Sequence, residues 1–532
     1  MLDASVFVRM TTKQPIPDYE PLKRTARKAP VDSDPGFRVQ PFEQSSPGEK
    51  ASDGDWASLG SRDRLHQLRR EAAEHQRSDE LSPESKPPLV SNSPVEVEGR
   101  SKAAVQDKRP ENWILRNGHS VSFAGVVLFT VLVFFRPYEW TPSLMWLSSS
   151  AFWVAIVTVA IFIPTQLGLE NTITARPREV NLALLLLLAG ILSIPLALDP
   201  GKAFAGLTDF FKVITIFVVM VNVVRSEKRL KILWAVVIIA SCVLSIGAVN
   251  DYRTGKLALM GVRIQGVIGG LFDNPNDLAL HLVTMIPIAL AMMLSSRNPL
   301  SKIILLACTI LLLCGVVATF SRGGFLGLVC ASGVFMWKIA KKSRLFVAMA
   351  GSLGLIVFMV AAPGGYGNRL STTGDDSAVA RYDDLKRSVF ITSRHPILGV
   401  GINNYILYSN SNKASHNAYT QVASEMGIAA AAVYILFMIF PLKGLRKLER
   451  ETSGEKDRRR LYYLSIGLQA SLVGYMVSSF FASVAYVWYV YYLVAYSIAL
   501  RRIYAVSIAK EAKEARTDLV EPPRRLVLTA TD

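Results

Sequence analysis

Residues 303–337 read IILLACTILLLCGVVATFSRGGFLGLVCASGVFMW. The first seventeen, 303–319, carry no charge, and a helix of that length rises about 25 Å, close to the thickness of a bilayer's hydrocarbon core. Only Phe320-Ser321-Arg322 separates them from a second apolar run, 323–338. Hydrocarbon offers no partners to backbone N–H and C=O groups, so each run must be a helix and the chain must reverse at this turn. Similar runs lie near 120–135, 144–163, 180–198, 207–224, 230–249, 278–294, 345–362, 419–441, 461–482 and 486–500. The reading is an all-α polytopic membrane protein with about twelve transmembrane helices.

Composition agrees. The 532 residues are 51% hydrophobic and 19% charged, with a mean hydropathy of +0.30, too apolar for a soluble protein of this length. The net charge of +17 is unevenly placed. Residues 1–118 hold 19 basic and 19 acidic residues, so the whole excess lies beyond them. A basic nucleic-acid-binding arm is therefore disfavoured, and no nucleic acid is expected as a partner. The basic residues of the short loops concentrate on one side: twenty fall in the loops around 176–178, 225–231, 297–302, 338–344 and 443–460. Only Arg136, Lys202, Arg253, Lys256, Arg263 and Arg322 fall in the short loops of the other side. The positive-inside rule puts both termini in the cytoplasm.

Residues 1–112 are rich in Pro, Ser and charge and are expected to be a disordered cytoplasmic tail, with no cleavable signal peptide at Met1. The membrane domain is expected over 113–505, and a cytoplasmic C-terminal tail over 506–532. Cys242, Cys308, Cys314 and Cys330 all lie in apolar runs, so neither a disulfide framework nor a cysteine metal site is indicated. One outer loop, 363–418, is far longer than the others, and long loops are usually functional. A glycine-bearing outer segment, 250–277, could lie along the membrane or dip into it.

Three ionisable residues on the outer side could carry chemistry. Arg322 sits in the short turn, where a planar permanent cation suits a phosphate; it can equally snorkel to lipid headgroups. Arg381 lies in the long loop and heads an amphipathic stretch to Thr392, where a solvated surface role is the plainer one. His416 precedes Asn417 and opens the tenth span. Its imidazole can accept a proton from a hydroxyl at neutral pH, or simply make local hydrogen bonds. The pairs Asp375-Asp376 and Asp383-Asp384 could recruit a divalent cation, though acidic turns are commonly just solvated. His281 reads as a packing residue, Asp209 and Lys212 as a pair on one helix face, and Glu425 as too far round the helix to partner His416.

The run His416-Asn417, nine residues, then Gly427-Ile428-Ala429-Ala430 resembles the signature of the O-antigen ligase and polymerase superfamily, with Ala430 where Gly, Thr or Tyr is usual. Ser321-Arg322-Gly323-Gly324, the segment from His395 to Gly401 and the segment from Phe272 to Ala279 are similar to further family stretches. Arg136-Pro137-Tyr138-Glu139-Trp140 resembles a branch found beside exopolysaccharide and exosortase gene clusters. The resemblance spans roughly 120–505. It implies a GT-C-like helical fold with one long periplasmic loop, in the bacterial inner membrane. It also implies a glycosyltransferase that needs no metal or other cofactor. The donor would be a glycan on undecaprenyl pyrophosphate, and the acceptor a hydroxyl of a glycan, lipid or protein. Ligase, polymerase and protein O-oligosaccharyltransferase all remain open. Carried over by position, Arg322 and Arg381 would bind the pyrophosphate, and His416 would be the catalytic histidine. The rival from another class is a twelve-helix secondary transporter, and the rival within enzymes is a metal-dependent glycosyltransferase using the paired aspartates.

Overall fold

The computed structural model describes residues 113–140, 142–255, 264, 272, 274–340, 376–409 and 414–520, all within one compact unit of the chain. The expected tail at 1–112, the span at 345–362 and most of the glycine-bearing segment 250–277 lie outside or largely outside these residues. Among the described residues every regular element is helical. The long helices are α1 (Trp113–Phe135), α2 (Ser150–Glu170), α3 (Arg178–Ser193), α4 (Pro200–Val223), α5 (Glu227–Arg253), α6 (Pro275–Ser295) and α7 (Pro299–Ala318). They continue with α8 (Arg322–Ile339), α9 (Asp376–Arg394), α10 (Ala418–Met426), α11 (Ile428–Thr452), α12 (Arg459–Ser478) and α13 (Trp488–Val520). Three of them open on the same device, a capping side chain followed by proline: Asp199-Pro200, Asn274-Pro275 and Asn298-Pro299. The cap accepts a hydrogen bond from an otherwise unpaired first-turn N–H, and proline has no N–H to satisfy.

Ten described helices are long and apolar enough to cross a membrane. The protein is thus an all-α polytopic membrane protein. Of the twelve expected spans, ten correspond to these helices. An eleventh is α8, 18 residues long, whose terminal Arg322 and Lys338 dilute its apolar character. The twelfth falls outside the described residues. One boundary needs correcting. The expected span 419–441 is two helices, because Gly427 (φ 92°) ends α10 and the Ile428 N–H turns away to Pro396 O at 2.8 Å. The crossing helix is α11. The expected boundary at residue 505 falls inside a continuous α13.

The centre of the bundle is formed by α6 and α12, whose spanning windows are 78% and 72% buried, against 11% for α2 at the periphery. Glycines set the closest approaches. A Cβ on Gly467 of α12 would stand 2.8 Å from Pro287 O of α6, and one on Gly327 of α8 would stand 3.0 Å from Gly474 O. α13 fills the middle with buried aromatics. Its Tyr492 bonds Thr130 of α1 through the two hydroxyls at 2.9 Å, and its Tyr496 stacks edge-on against Trp234 of α5. His281 of α6 is buried, with Nε2 2.8 Å from Ser241 Oγ and its ring against Phe134, Phe272 and Tyr489.

Ion pairs gather at one end of the bundle. Glu170 meets Arg225 at 2.6 Å and Arg502 at 3.7 Å, Arg501 meets Glu179 at 2.5 Å, and Lys338 meets Glu449 at 2.5 Å. The Arg501, Arg502 and Lys338 pairs join separate helices and Arg225 reaches Glu170 from the turn between α4 and α5, whereas the Lys212–Asp209 pair at 2.8 Å stays on α4.

Candidate functional site

The opposite end of the bundle collects the polar turns. Ser321 caps α8, accepting from the Gly324 N–H at 3.2 Å, while its own hydroxyl donates to Asn276 Oδ1 at 2.8 Å. Asn276 belongs to the stretch around Asp273–Asp277, whose Asn274 caps α6 by accepting from the Asn276 N–H at 2.9 Å. The family-like stretches at 272–279 and 321–324 are therefore two helix starts tied together. Arg322 is the first residue of α8 and is half-buried. Phe320 before it has φ 50°, a conformation that costs a bulky residue about 1–2 kcal/mol.

Gly323 brings α8 against the turn that follows α12. A Cβ there would meet the Phe481 Cβ at 2.6 Å. Two residues further on, the Ser483 hydroxyl accepts the backbone N–H of His416 at 2.8 Å. Arg322 and His416 thus flank one turn, residues 479–483. His416 precedes α10 rather than lying within a helix, and it has φ 51°. Asn417, buried, is the cap, accepting from the N–H groups of Tyr419 at 2.9 Å and Thr420 at 3.1 Å. A histidine in a left-handed turn is unusual, and such strain concentrates at functional sites.

Helix α10 runs the nine residues between Asn417 and Gly427, so the nine-residue gap of the sequence signature is one short helix. Its closing glycine is enforced by geometry. At φ 92°, ψ 171°, a Cβ on Gly427 would stand 2.1 Å from Ile397 O. The segment from His395 to Gly401 packs on this break. Val400 N–H donates to Ser424 O and Gly401 N–H to Glu425 O, both at 2.9 Å.

Arg381 lies in the long loop, on α9. Its face is set by the buried Asp384, Ser388 and Ile391 at helical spacing, and the Tyr405 hydroxyl donates to Asp384 O at 3.0 Å. Arg381 lies three residues before Asp384 and is half-buried, on the helix that packs against α10. Asp383 and Asp384 do not form a pair of ligands facing one way. Neighbouring helix positions diverge by about 100°, and Asp383 is exposed while Asp384 is buried. Asp375 lies outside the described residues. Among the described residues no group of three or more His, Cys, Asp or Glu side chains is arranged to hold a metal ion.

Two residues that sequence reasoning passed over belong to this end. Glu425 is no partner of His416. It is buried at the far end of α10, accepts the Tyr405 N–H at 3.4 Å and lies beside Tyr486. Burial pushes its carboxyl up to about 7, and the same burial, with Glu425 adjacent, raises the Tyr486 hydroxyl further. Arg136, at the end of α1, has φ 40° and pairs with Glu139 at 2.7 Å. The sequence signals were an isolated acid in an apolar helix and the Arg-Pro-Tyr-Glu-Trp motif.

Residues 307–435 match the family model described as O-antigen ligase. This segment is an O-antigen ligase domain. It contains Arg322, Arg381 and His416, and it runs from the middle of α7 through the long loop into α11. The match covers 129 of the 532 residues and supports O-antigen ligase-like glycan transfer in surface polysaccharide assembly. No curated protein matches the sequence.

Proposed function

We propose that the protein transfers a glycan from undecaprenyl pyrophosphate to an acceptor hydroxyl on the periplasmic face of the bacterial inner membrane. The observation carrying this reading is that Gly323, next to Arg322, and the His416 backbone, both within the matched segment 307–435, pack on one turn, residues 479–483. The positive end of the loop distribution stays in the cytoplasm, so the site end faces the periplasm.

A sugar pyrophosphate already carries a good leaving group, and the main task is to neutralise the charge that develops on it. Arg322 and Arg381 bind the pyrophosphate through charge-assisted hydrogen bonds. His416 accepts the acceptor's hydroxyl proton as that oxygen attacks the anomeric carbon from the opposite side, inverting its configuration. The long loop, held on α10 by the 395–401 segment, covers the donor and excludes water, which would otherwise hydrolyse it.

The test is transfer of radiolabelled glycan from undecaprenyl pyrophosphate in membranes holding wild type, Arg322→Ala, Arg381→Ala or His416→Ala, with and without EDTA. Loss in all three variants at normal protein abundance, with wild-type activity unchanged by EDTA, supports the reading. Equal turnover in all four removes this site. Activity lost in EDTA and restored by Mn²⁺ points to metal-dependent chemistry instead.

A further inference from the structure

Helix α9 packs on α10 with its more polar side. Asp384 and Ser388 are buried there with Ile391, while Val379, Tyr382, Val389 and Phe390 are each more than half exposed. At helical spacing Val379, Tyr382, Lys386, Val389, Phe390 and Ser393 fall within one arc of about 100°, on the side opposite Asp384, Ser388 and Ile391. A helix that rests on protein and is otherwise in water turns its apolar stripe inward. α9 does the reverse, so its outer stripe suits a second apolar phase. Cations accompany the stripe. Lys386 lies over the Tyr382 ring at 4.1 Å and Arg394 over the Phe390 ring at 4.5 Å, and among the described residues neither is ion-paired with a carboxylate. Asp383 is the one exposed acid between 379 and 394, against Lys386, Arg387 and Arg394.

Two points of α9 are fastened at the level of the bilayer boundary. Its last residue, Arg394, lies two positions before Pro396, whose carbonyl accepts the first N–H of the spanning helix α11 at 2.8 Å. Ten residues earlier, Asp384 O accepts the Tyr405 hydroxyl at 3.0 Å. Next to Tyr405, the Asn404 side chain accepts the N–H of Asp199, the cap of the spanning helix α4, at 2.8 Å. Ten residues of helix measure about 15 Å, and both ends of that length are tied beside the starts of spanning helices, so α9 runs along the boundary instead of rising from it. An aromatic and aliphatic face with lysine and arginine beside it, at that level, has the make-up of an interfacial membrane helix. We infer that α9 seats its Val379–Phe390 face in the lipid leaflet at the site end of the bundle, with Lys386 and Arg394 reaching the lipid phosphates. Arg381 lies about 130° round the helix from the centre of this stripe, so the seat fixes the height of its guanidinium. That consequence for pyrophosphate binding rests on the proposed function, whereas the seating itself does not.

The test uses the full-length protein with Cys242, Cys308, Cys314 and Cys330 replaced by alanine, in nanodiscs of phosphatidylethanolamine and phosphatidylglycerol. One nitroxide is attached at Val379→Cys, Phe390→Cys or Ala380→Cys, and its collisions with oxygen, which concentrates in lipid, are compared with those of a water-soluble nickel chelate. At 379 and 390 the oxygen-to-nickel ratio should exceed that at 380 about tenfold, with the label about 5–10 Å below the phosphates; Ala380 is exposed but turned about 100° from Val379. Val389→Glu places a carboxylate on the stripe and should lower the ratio at 379 about tenfold at unchanged protein abundance. Nickel reaching 379 and 390 as freely as 380 puts the face in water and overturns the inference. Shielding of 379 and 390 from both reagents shows a second copy or a partner protein on the face and overturns it as well. Because glycan transfer is not the readout, either result leaves the transfer reading standing, and a protein that transfers no glycan can still show the seated helix.

Discussion

Replacing Gly427 by alanine should cost the protein about 2–4 kcal/mol, and the figure can be built from its surroundings. Its backbone, φ 92° and ψ 171°, lies in a region nearly restricted to glycine, where a side chain costs about 1–3 kcal/mol. The added Cβ would also stand 2.1 Å from Ile397 O, 2.5 Å from Ile397 C and 2.9 Å from Pro396 O. All three are backbone atoms and cannot rotate aside. Relief requires the 396–397 segment to move off α10, which breaks the Ile428 N–H to Pro396 O bond of 2.8 Å, a further loss of about 1 kcal/mol. Gly454 is the internal control. It has φ 97° but nothing within 4 Å of a Cβ, so Gly454→Ala should lose only the conformational part, about 1 kcal/mol. SDS-induced unfolding in micelles measures both variants, and limited proteolysis between 395 and 409 reports whether the loop has come loose. If Gly427→Ala is no less stable than Gly454→Ala and its loop is no more readily cleaved, the assignment of Gly427 as the fixed point of the long loop is wrong.

Glu425 supplies a pH dependence. Its folded pKa, about 7, lies above the unfolded value of about 4.3, so the folded state holds the proton more tightly. Stability is then full below the unfolded pKa and falls as pH rises through 7, by at most about 4 kcal/mol. Unfolding measured from pH 5 to 8 should show this slope in wild type and a flatter one in Glu425→Gln; equal slopes would contradict the assignment. Ser483→Ala removes the acceptor of the His416 N–H and should lower glycan transfer about tenfold at unchanged protein abundance, since a lost hydrogen bond frees a strained turn. Wild-type turnover in that variant would show that the turn needs no such anchor. Gly327→Leu forces a side chain into Ser478 and the Gly474 carbonyl and should separate α8 from α12, costing about 1–3 kcal/mol or more; a fully stable variant would refute that packing.

The architecture was legible because hydrocarbon leaves the backbone one solution. Apolar runs such as 303–319 became helices close to where they were expected. The break inside 419–441 was not legible from hydropathy, since Met426, Gly427 and Ile428 read as continuous apolar chain; only the positive φ at Gly427 and the incoming Pro396 carbonyl divide it. At the site, residue types and spacing brought attention to Arg322 and His416, but the turn that joins them is formed by residues 479–483, over sixty positions away from His416. Glu425 was dismissed on helical geometry that assumed His416 lay in the same helix. Its own role depends on residues 405 and 486, a non-local arrangement that spacing cannot reveal.

The aromatic interior of α13 bears on how the molecule is made. Tyr492 and Tyr496 meet partners on α1 and α5, and Trp488 packs edge-on against Phe129 of α1, yet α13 is the last of these helices to leave the ribosome. Every earlier helix it touches must wait in the bilayer with part of its final interface turned toward lipid. Assembly therefore cannot finish in the order of synthesis, and closure around the central pillar is the last event. Chains interrupted anywhere before Trp488 should insert their helices yet lack the bundle's keystone, becoming substrates for membrane quality control rather than weakened enzymes.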